Sequence, residues 1–177
     1  MFCSLLPACR DDRPADRARL APVDAAAELV TLELGDVVVT LPIPRGWSAH
    51  ATRSGGQLIA VTFTPDHHGQ SIRVMQSCFG GCDAIDRNLA ELLDRRRDSF
   101  TTSGWTVDVV RATARVGAIA FELRIASGAS VTFDTTRAEH QPAWRQAIEC
   151  QATSSGDVPR PAVRTACDRM TITTRRD

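Results

Sequence analysis

Hydrophobic and polar residues alternate along most of the chain beyond residue 28, and this period of two is typical of strands with one buried face. β-Branched and aromatic residues are frequent in these runs, and Gly35-Asp36 and Ser127-Gly128 mark turns between them. The pattern predicts strands at residues 30–34, 37–41, 57–64, 71–76, 105–113, 117–126, 130–136 and 144–153.

Two segments show helical spacing instead. Over residues 83–100, apolar side chains recur every three or four positions and charged residues fall opposite them. Residues 157–170 form a second predicted helix, because Pro159 and Pro161 are confined to its first turn, where proline is tolerated. Antiparallel strands with few helices indicate the α+β class. We therefore predict an α+β domain with an antiparallel sheet of about six or seven strands, a mid-chain helix and a C-terminal helix.

Composition narrows the possible functions. The 177 residues suffice for one domain, and the formal net charge of zero removes the main argument for nucleic-acid binding. All basic residues other than histidine are Arg, which indicates a GC-rich bacterial genome rather than a phosphate-binding surface. No run approaches the roughly 20 apolar residues of a transmembrane helix. We expect no nucleic-acid partner.

The N-terminus contains a candidate export signal. Residues 5–9, Leu-Leu-Pro-Ala-Cys, resemble the lipobox of bacterial lipoproteins. The resemblance implies that Cys9 is lipidated and becomes the mature N-terminus, so that a lipid anchor alone holds the protein on the membrane. Residues 10–28 are rich in Arg, Asp, Ala and Pro and predict a flexible tether. The expected organisation is a leader at 1–9, this tether, and a single domain at 29–177.

Four cysteines within the domain predict two disulfides. Cys150 and Cys167 fall on facing apolar sides of the last predicted strand and helix, where two buried free thiols are the alternative. Cys78 and Cys82 flank Phe-Gly-Gly, whose flexibility lets the sulfurs meet; a redox-active pair is the alternative here. If Cys3 leaves with the leader and Cys9 is lipidated, four cysteines pair without remainder. Cysteines that can all form disulfides are typical of a protein in an oxidising compartment.

Catalytic and metal-binding patterns are weaker. His67 and His68, with Cys78 and Cys82, supply zinc-ligand atoms, but adjacent histidines in a turn favour exposure to water over ligation. Ser71, Ser77, His50, His140 and Asp134 have the side chains of a nucleophilic site, yet no nucleophile-elbow motif surrounds either Ser. No glycine pair has the context of a phosphate-binding loop. We therefore expect no cofactor and no metal.

A family resemblance adds to this interpretation. The run Leu41-Pro42-Ile43-Pro44-Arg45-Gly46-Trp47, followed by a mid-chain amphipathic helix, a long β-meander and a closing helix, resembles the PsbP-like fold over about residues 29–173. That fold occurs in the photosystem oxygen-evolving subunit, DcrB-type envelope proteins and small lipoproteins. The resemblance implies a non-enzymatic module that binds other proteins. Core packing is the default interpretation of the tryptophans, and an exposed Trp47 would be the candidate contact residue.

The sequence predicts an exported envelope protein, lipid-anchored in a bacterium, that binds a protein or an envelope component without catalysis. One alternative is a metal- or thiol-dependent protein that uses Cys78 and Cys82 with His67 or His68. Another is a cytoplasmic chaperone or immunity partner of a secreted effector. The partner and its binding face are not predicted.

Overall fold

The computed structural model of the chain describes residues 27–66, 69–78, 82–157 and 160–175. Its strands are β1 Ala27–Leu34, β2 Val37–Pro44, β3 Ser48–Ser54, β4 Gln57–Thr64, β5 Gln70–Ser77, β6 Thr106–Arg115, β7 Ala118–Ser127, β8 Ser130–Glu139, β9 Ala147–Ser155 and β10 Thr171–Thr174. A 3₁₀ turn at Cys82–Ala84 leads into α1 (Ile85–Ala90) and α2 (Leu92–Thr102), and α3 (Pro161–Asp168) precedes the last strand.

The strands form two antiparallel sheets. The smaller sheet has the order β1-β2-β10, and the larger sheet has the order β3-β4-β5-β9-β8-β7-β6. Strands account for 58% of the described residues and helices for 20%, so the protein is mostly β. The predicted α+β class with one antiparallel sheet of six or seven strands is therefore wrong.

The prediction missed two strands, β3 and β10, because their sequences do not show the pattern expected of a strand. β3 is exposed at every residue, so its sequence has no alternation between apolar and polar positions. β10 has only four residues, yet it adds to β2 by pairing Thr171 with Thr40. Because β2 lies between β1 and β10, the N-terminal hairpin and the C-terminal strand form a sheet of their own.

The predicted helices are shorter than the periodicity indicated. The mid-chain helix divides at Glu91 into α1 and α2, although Arg95 N–H still donates to the Glu91 carbonyl at 3.0 Å. The last helix begins only at Pro161, the position where a missing N–H has no helical partner to lose.

Other elements pack on both faces of the larger sheet. On the face that we call the α3 face, the smaller sheet and α3 enclose the main core. On the other face, the α2 face, α1 and α2 cover a smaller apolar cluster on β7. The main core includes Val39, Leu41, Phe63, Ile72, Val74, Ile148 and Met170, and the smaller cluster includes Leu89, Leu92, Ile119, Phe121 and Leu123. Burial of these side chains is the main term that stabilises the fold.

We expect two hairpin glycines to differ in their tolerance of alanine. Gly117 and Gly128 both have positive φ, at 69° and 59°, but a Cβ on Gly117 would lie 2.6 Å from the His140 carbonyl oxygen, whereas Gly128 faces open space. Gly117→Ala should lower the free energy of unfolding by about 2 to 4 kcal/mol and Gly128→Ala by about 1 to 2 kcal/mol. Urea denaturation measures both; equal losses would contradict the close approach.

Candidate functional site

Cys150 and Cys167 are joined in a disulfide that fixes α3 to the larger sheet. Their Cα atoms are 5.5 Å apart, and both residues are 0% exposed. Cys150 lies in the middle of β9, and Cys167 lies near the end of α3. The bridge therefore links the strand and the helix whose apolar sides were predicted to face each other.

Cys78 and Cys82 form the second disulfide. Their Cα atoms are 4.6 Å apart, and the bridge joins the end of β5 to the 3₁₀ turn before α1. Cys82 is exposed and Cys78 is half-buried. Sulfurs bonded to each other are not thiolates, so neither Cys is a zinc ligand in this state.

The other predicted metal ligands, His67 and His68, lie outside the described residues. Within the described part of the chain, no group of three or more His, Cys, Asp or Glu side chains is placed to hold a metal ion.

Trp47, the candidate contact residue, is half-buried and packs against the main core. Its backbone N–H donates to the Pro44 carbonyl at 3.4 Å and closes the turn after β2. Its side chain is thus part of the packing rather than a free aromatic surface. Cys9, with the leader and tether, lies outside the described residues. Among the residues that are described, no helix is long and apolar enough to cross a membrane.

Exposed apolar side chains concentrate instead along β6, which with β3 is one of the two edge strands of the larger sheet. Four of the five exposed large hydrophobic side chains among the described residues lie on this strand or next to it. They are Trp105 at 40% exposed, Val109 at 43%, Val110 at 49% and Val116 at 97%; the fifth is Leu29 on β1. Trp105 and Val116 flank opposite ends of the strand, so these side chains follow the edge strand rather than form one patch.

The shape of β6 explains part of this exposure. Val109 pairs with Leu123 and Arg111 with Glu122, so that Val110 is an extra residue in a β-bulge. From Arg111 to Arg115 the pairing with β7 is regular. The sequence signal for the bulge was the Val109-Val110 pair, which interrupts the alternation within an otherwise regular strand.

A cleft of about 310 Å³ lies beside this regular part of β6, on the α3 face. Its floor includes Ala118 and Ala120 of β7, and Arg115, Glu139 and Asp168 lie around it. Arg115 is 71% exposed, and its guanidinium is 3.6 Å from the Glu139 carboxylate. We call the edge strand β6, with the cleft beside it, the β6 surface.

A buried carboxylate braces α3 beneath the β6 surface. Glu122 of β7 is 0% exposed, and its carboxylate lies 3.0 Å from Arg164 Nε of α3 and accepts a hydrogen bond from Arg111 Nε at 3.4 Å. Arg111 also donates twice to the Asp168 carboxylate, at 2.7 and 2.9 Å. These contacts fix one side of the cleft, and they carry no signal in the sequence because Glu122 occurs within an ordinary alternating run.

Two further buried carboxylates lie on the α2 face. There the apolar residues of β7 are followed by polar residues on β8 and β9. Asp134 is 1% exposed and accepts hydrogen bonds from Thr136 at 3.1 Å and Gln151 at 3.0 Å. Glu149 is 2% exposed and accepts one from Arg96 of α2 at 2.9 Å. Burial raises the pKa of both carboxyl groups, and Arg96 opposes that rise.

Comparison with known proteins shows the fold alone. No protein-family model matches the chain, and no curated protein is similar to it. A mutant of the protein Mog1 has a TM-score of 0.50 at 9% identity, over 72% of this chain and 77% of that chain. The Ran-binding protein Mog1p of Saccharomyces cerevisiae has a TM-score of 0.49 at 8% identity, over 73% and 78% of the two chains.

LpqN, involved in cell envelope biogenesis of Mycobacterium tuberculosis, has a TM-score of 0.44 at 13% identity, over 85% of this chain and 93% of that chain. The first comparison shows that the chain has a Mog1-like fold. The scores below 0.5 support no conclusion about this chain. None of the three names is that of a PsbP protein, so the PsbP-like resemblance is not confirmed as a family.

We expect Asp134 and Glu149 to make the protein less stable as the pH rises. In the unfolded chain the pKa values of these two carboxyl groups are about 3.9 and 4.3. Because both pKa values are raised in the folded state, the folded state binds protons more tightly. Their contribution to the free energy of unfolding is therefore full below about pH 4 and is lost as the pH rises through the folded pKa values.

Asp134→Asn removes one of the two groups and also a charge that helps to raise the pKa of Glu149, so the decline should become shallower. Urea denaturation between about pH 4.5 and 8 measures it, with Asp108→Asn, whose side chain is 59% exposed, as the matched control. A slope that the Asp134 variant leaves unchanged would contradict the assignment.

Proposed function

We propose that the chain is an exported, non-enzymatic protein of the bacterial envelope that binds a protein partner at the β6 surface. The observation that carries the proposal is the position of four of the five exposed large apolar side chains on or beside one edge strand. The partner is an extended segment of another protein that adds as a further strand to β6.

Export is supported by the two disulfides. Disulfides persist in the periplasm and on cell surfaces and are rare in the cytosol, where thiols are kept reduced. The lipobox-like run that ends in Cys9 supplies a route to the envelope and a lipid anchor. The anchor, at the N-terminus, is separate in sequence from β6.

Strand addition is supported by the backbone of β6. In the described part of the chain β6 pairs with β7 and with no other strand, so its outer N–H and C=O groups have no strand partner. An added peptide would satisfy these groups, and such main-chain hydrogen bonds provide affinity without dependence on sequence. The regular stretch from Arg111 to Arg115 is long enough for a short peptide to pair in register.

The cleft beside β6 supports selectivity for the partner. In strand addition, pockets next to the edge select alternate side chains of the peptide. Ala118 and Ala120 leave room in the cleft for a small apolar side chain of the partner segment. Arg115 at the rim can reach a carboxylate on the next residue of that segment. The partner segment is therefore expected to combine apolar and acidic residues.

The absence of catalysis is part of the proposal. The residues that the sequence offered for a nucleophilic site have separate partners: Ser71 Oγ lies 2.8 Å from Thr153 Oγ1, and His140 Nδ1 lies 2.8 Å from the Asp86 carboxylate. The carboxyl groups whose pKa values are raised, on Asp134 and Glu149, are closed to a substrate by their burial. Both brace the sheet against α2.

Protein isolated from its own cells without reductant should carry a lipid adduct on a chain that begins at Cys9. Alkylation should then find no free thiol, because the remaining four cysteines are paired. Intact mass spectrometry before and after alkylation measures both properties. An unmodified chain that retains Met1 and has four or more free thiols would overturn export and favour the cytoplasmic alternative.

Val110→Lys should reduce recovery of the partner by at least about tenfold, because it adds a charge in the middle of an apolar contact. Its effect on the free energy of unfolding should stay within about 0.5 kcal/mol, since the side chain is exposed. The measurement is quantitative affinity purification from the native cells. Leu29→Lys, at the exposed apolar residue remote in sequence from β6, is the matched control, and equal recovery with both variants would contradict the β6 surface.

A further inference from the structure

The two disulfides differ in their access to solvent. Cys150 and Cys167 are both 0% exposed, between the larger sheet and α3. Cys82 is exposed and Cys78 is half-buried. Thiol–disulfide exchange requires a thiolate to reach one sulfur directly, so the buried bridge is closed to exchange while the protein is folded.

Cys82 also lies at a cleft that can admit a reactant. The cleft has a volume of about 340 Å³ and is lined by the 3₁₀ turn and the first turn of α1, together with His140 and Trp144. Arg87 and Arg145 lie on its walls. A cleft of this size accommodates a low-mass thiol or the reactive loop of a dithiol protein.

The structure around Cys78 and Cys82 is held by contacts other than the bridge. His140 Nδ1 lies 2.8 Å from the Asp86 carboxylate of α1, and His140 Nε2 lies 3.2 Å from the Trp144 carbonyl oxygen. Ile85 and Leu89 of α1 are buried, at 6% and 2% exposed. Because these contacts do not pass through the sulfurs, α1 stays on the sheet when the bridge opens.

The two disulfides also differ in the length of the loop that each one closes. Cys78 and Cys82 are four positions apart, whereas Cys150 and Cys167 are 17 apart. A disulfide that closes a shorter loop restricts the unfolded chain less and so contributes less to stability. Opening the Cys78–Cys82 bridge therefore costs the fold less than opening the other one.

We infer that the Cys78–Cys82 bridge is a thiol-exchange site, at which an external dithiol attacks the sulfur of the exposed residue Cys82 while the Cys150–Cys167 bridge stays closed. The donor thiolate forms a bond to Cys82 Sγ, the bond between the two protein sulfurs breaks, and Cys78 leaves as a thiolate that takes up a proton. The second donor thiolate then displaces Cys82. The donor loses two electrons and two protons and becomes a disulfide, and the protein gains two thiols.

The first experiment treats the oxidised full chain with dithiothreitol, quenches with acid at intervals, alkylates, and assigns each Cys by peptide mass spectrometry. Cys78 and Cys82 should become alkylated at least about tenfold faster than Cys150 and Cys167, while circular dichroism shows the folded state. Equal rates for the two bridges, or opening of the Cys78–Cys82 bridge only as the protein unfolds, would overturn the inference.

A trapping experiment tests which sulfur is attacked. Cys78→Ser leaves Cys82 as a thiol, which should react with oxidised glutathione to give an adduct that peptide mapping assigns to Cys82. Cys82→Ser leaves the half-buried Cys78, which should react more slowly. Cys150→Ser leaves the buried Cys167 and is the matched control, with no adduct expected before denaturant is added. A Cys82 thiol that reacts no faster than Cys167 in folded protein would overturn the inference.

Discussion

The position of α3 is the constraint on which the rest of the structure depends. This helix has only eight residues, yet it contacts β2 of the smaller sheet and β5, β8 and β9 of the larger one. Val163, Ala166 and Cys167 are its buried side chains. A helix this short is not stable by itself, so tertiary contacts must hold it. Because α3 also delivers β10 to β2, both sheets depend on its place.

Three kinds of contact hold α3 there, and each begins on a different strand. The Cys150–Cys167 bridge comes from β9, and Arg164 reaches the buried Glu122 of β7. Arg137 of β8 donates to the carbonyls of Cys167, Asp168 and Met170, at 3.4, 2.9 and 2.8 Å, where α3 ends and the chain turns toward β10. Arg111 of β6 also donates to Asp168 of α3, so β6 is tied to the helix on its inner side. Its outer edge has no strand partner among the described residues.

The hydrophobic pattern of the sequence predicted the strands and helices in which buried and exposed positions alternate. It did not predict a strand whose residues are all exposed, or one that pairs with a strand far away in the sequence. The facing cysteines and the stripe of α3 were readable because each follows the period of its own element. β3 was not readable, because all its residues are exposed, nor was β10, which needs β2 to be a strand at all. The β6 surface and the buried Asp134 depend on which strands become neighbours, and composition does not contain that information. Core packing was the default interpretation of Trp47, and its contact with the main core agrees with that interpretation.

Amide hydrogen exchange along β6 tests the central claim most directly, in the chain alone and in the complex isolated from its cells. If a partner segment adds to the edge, amides between Arg111 and Arg115 that exchange rapidly in the free chain should slow by at least about tenfold in the complex, while those of β3 remain unchanged. Protection at β3 or on α1, with β6 exchanging as it does in the free chain, would contradict the account.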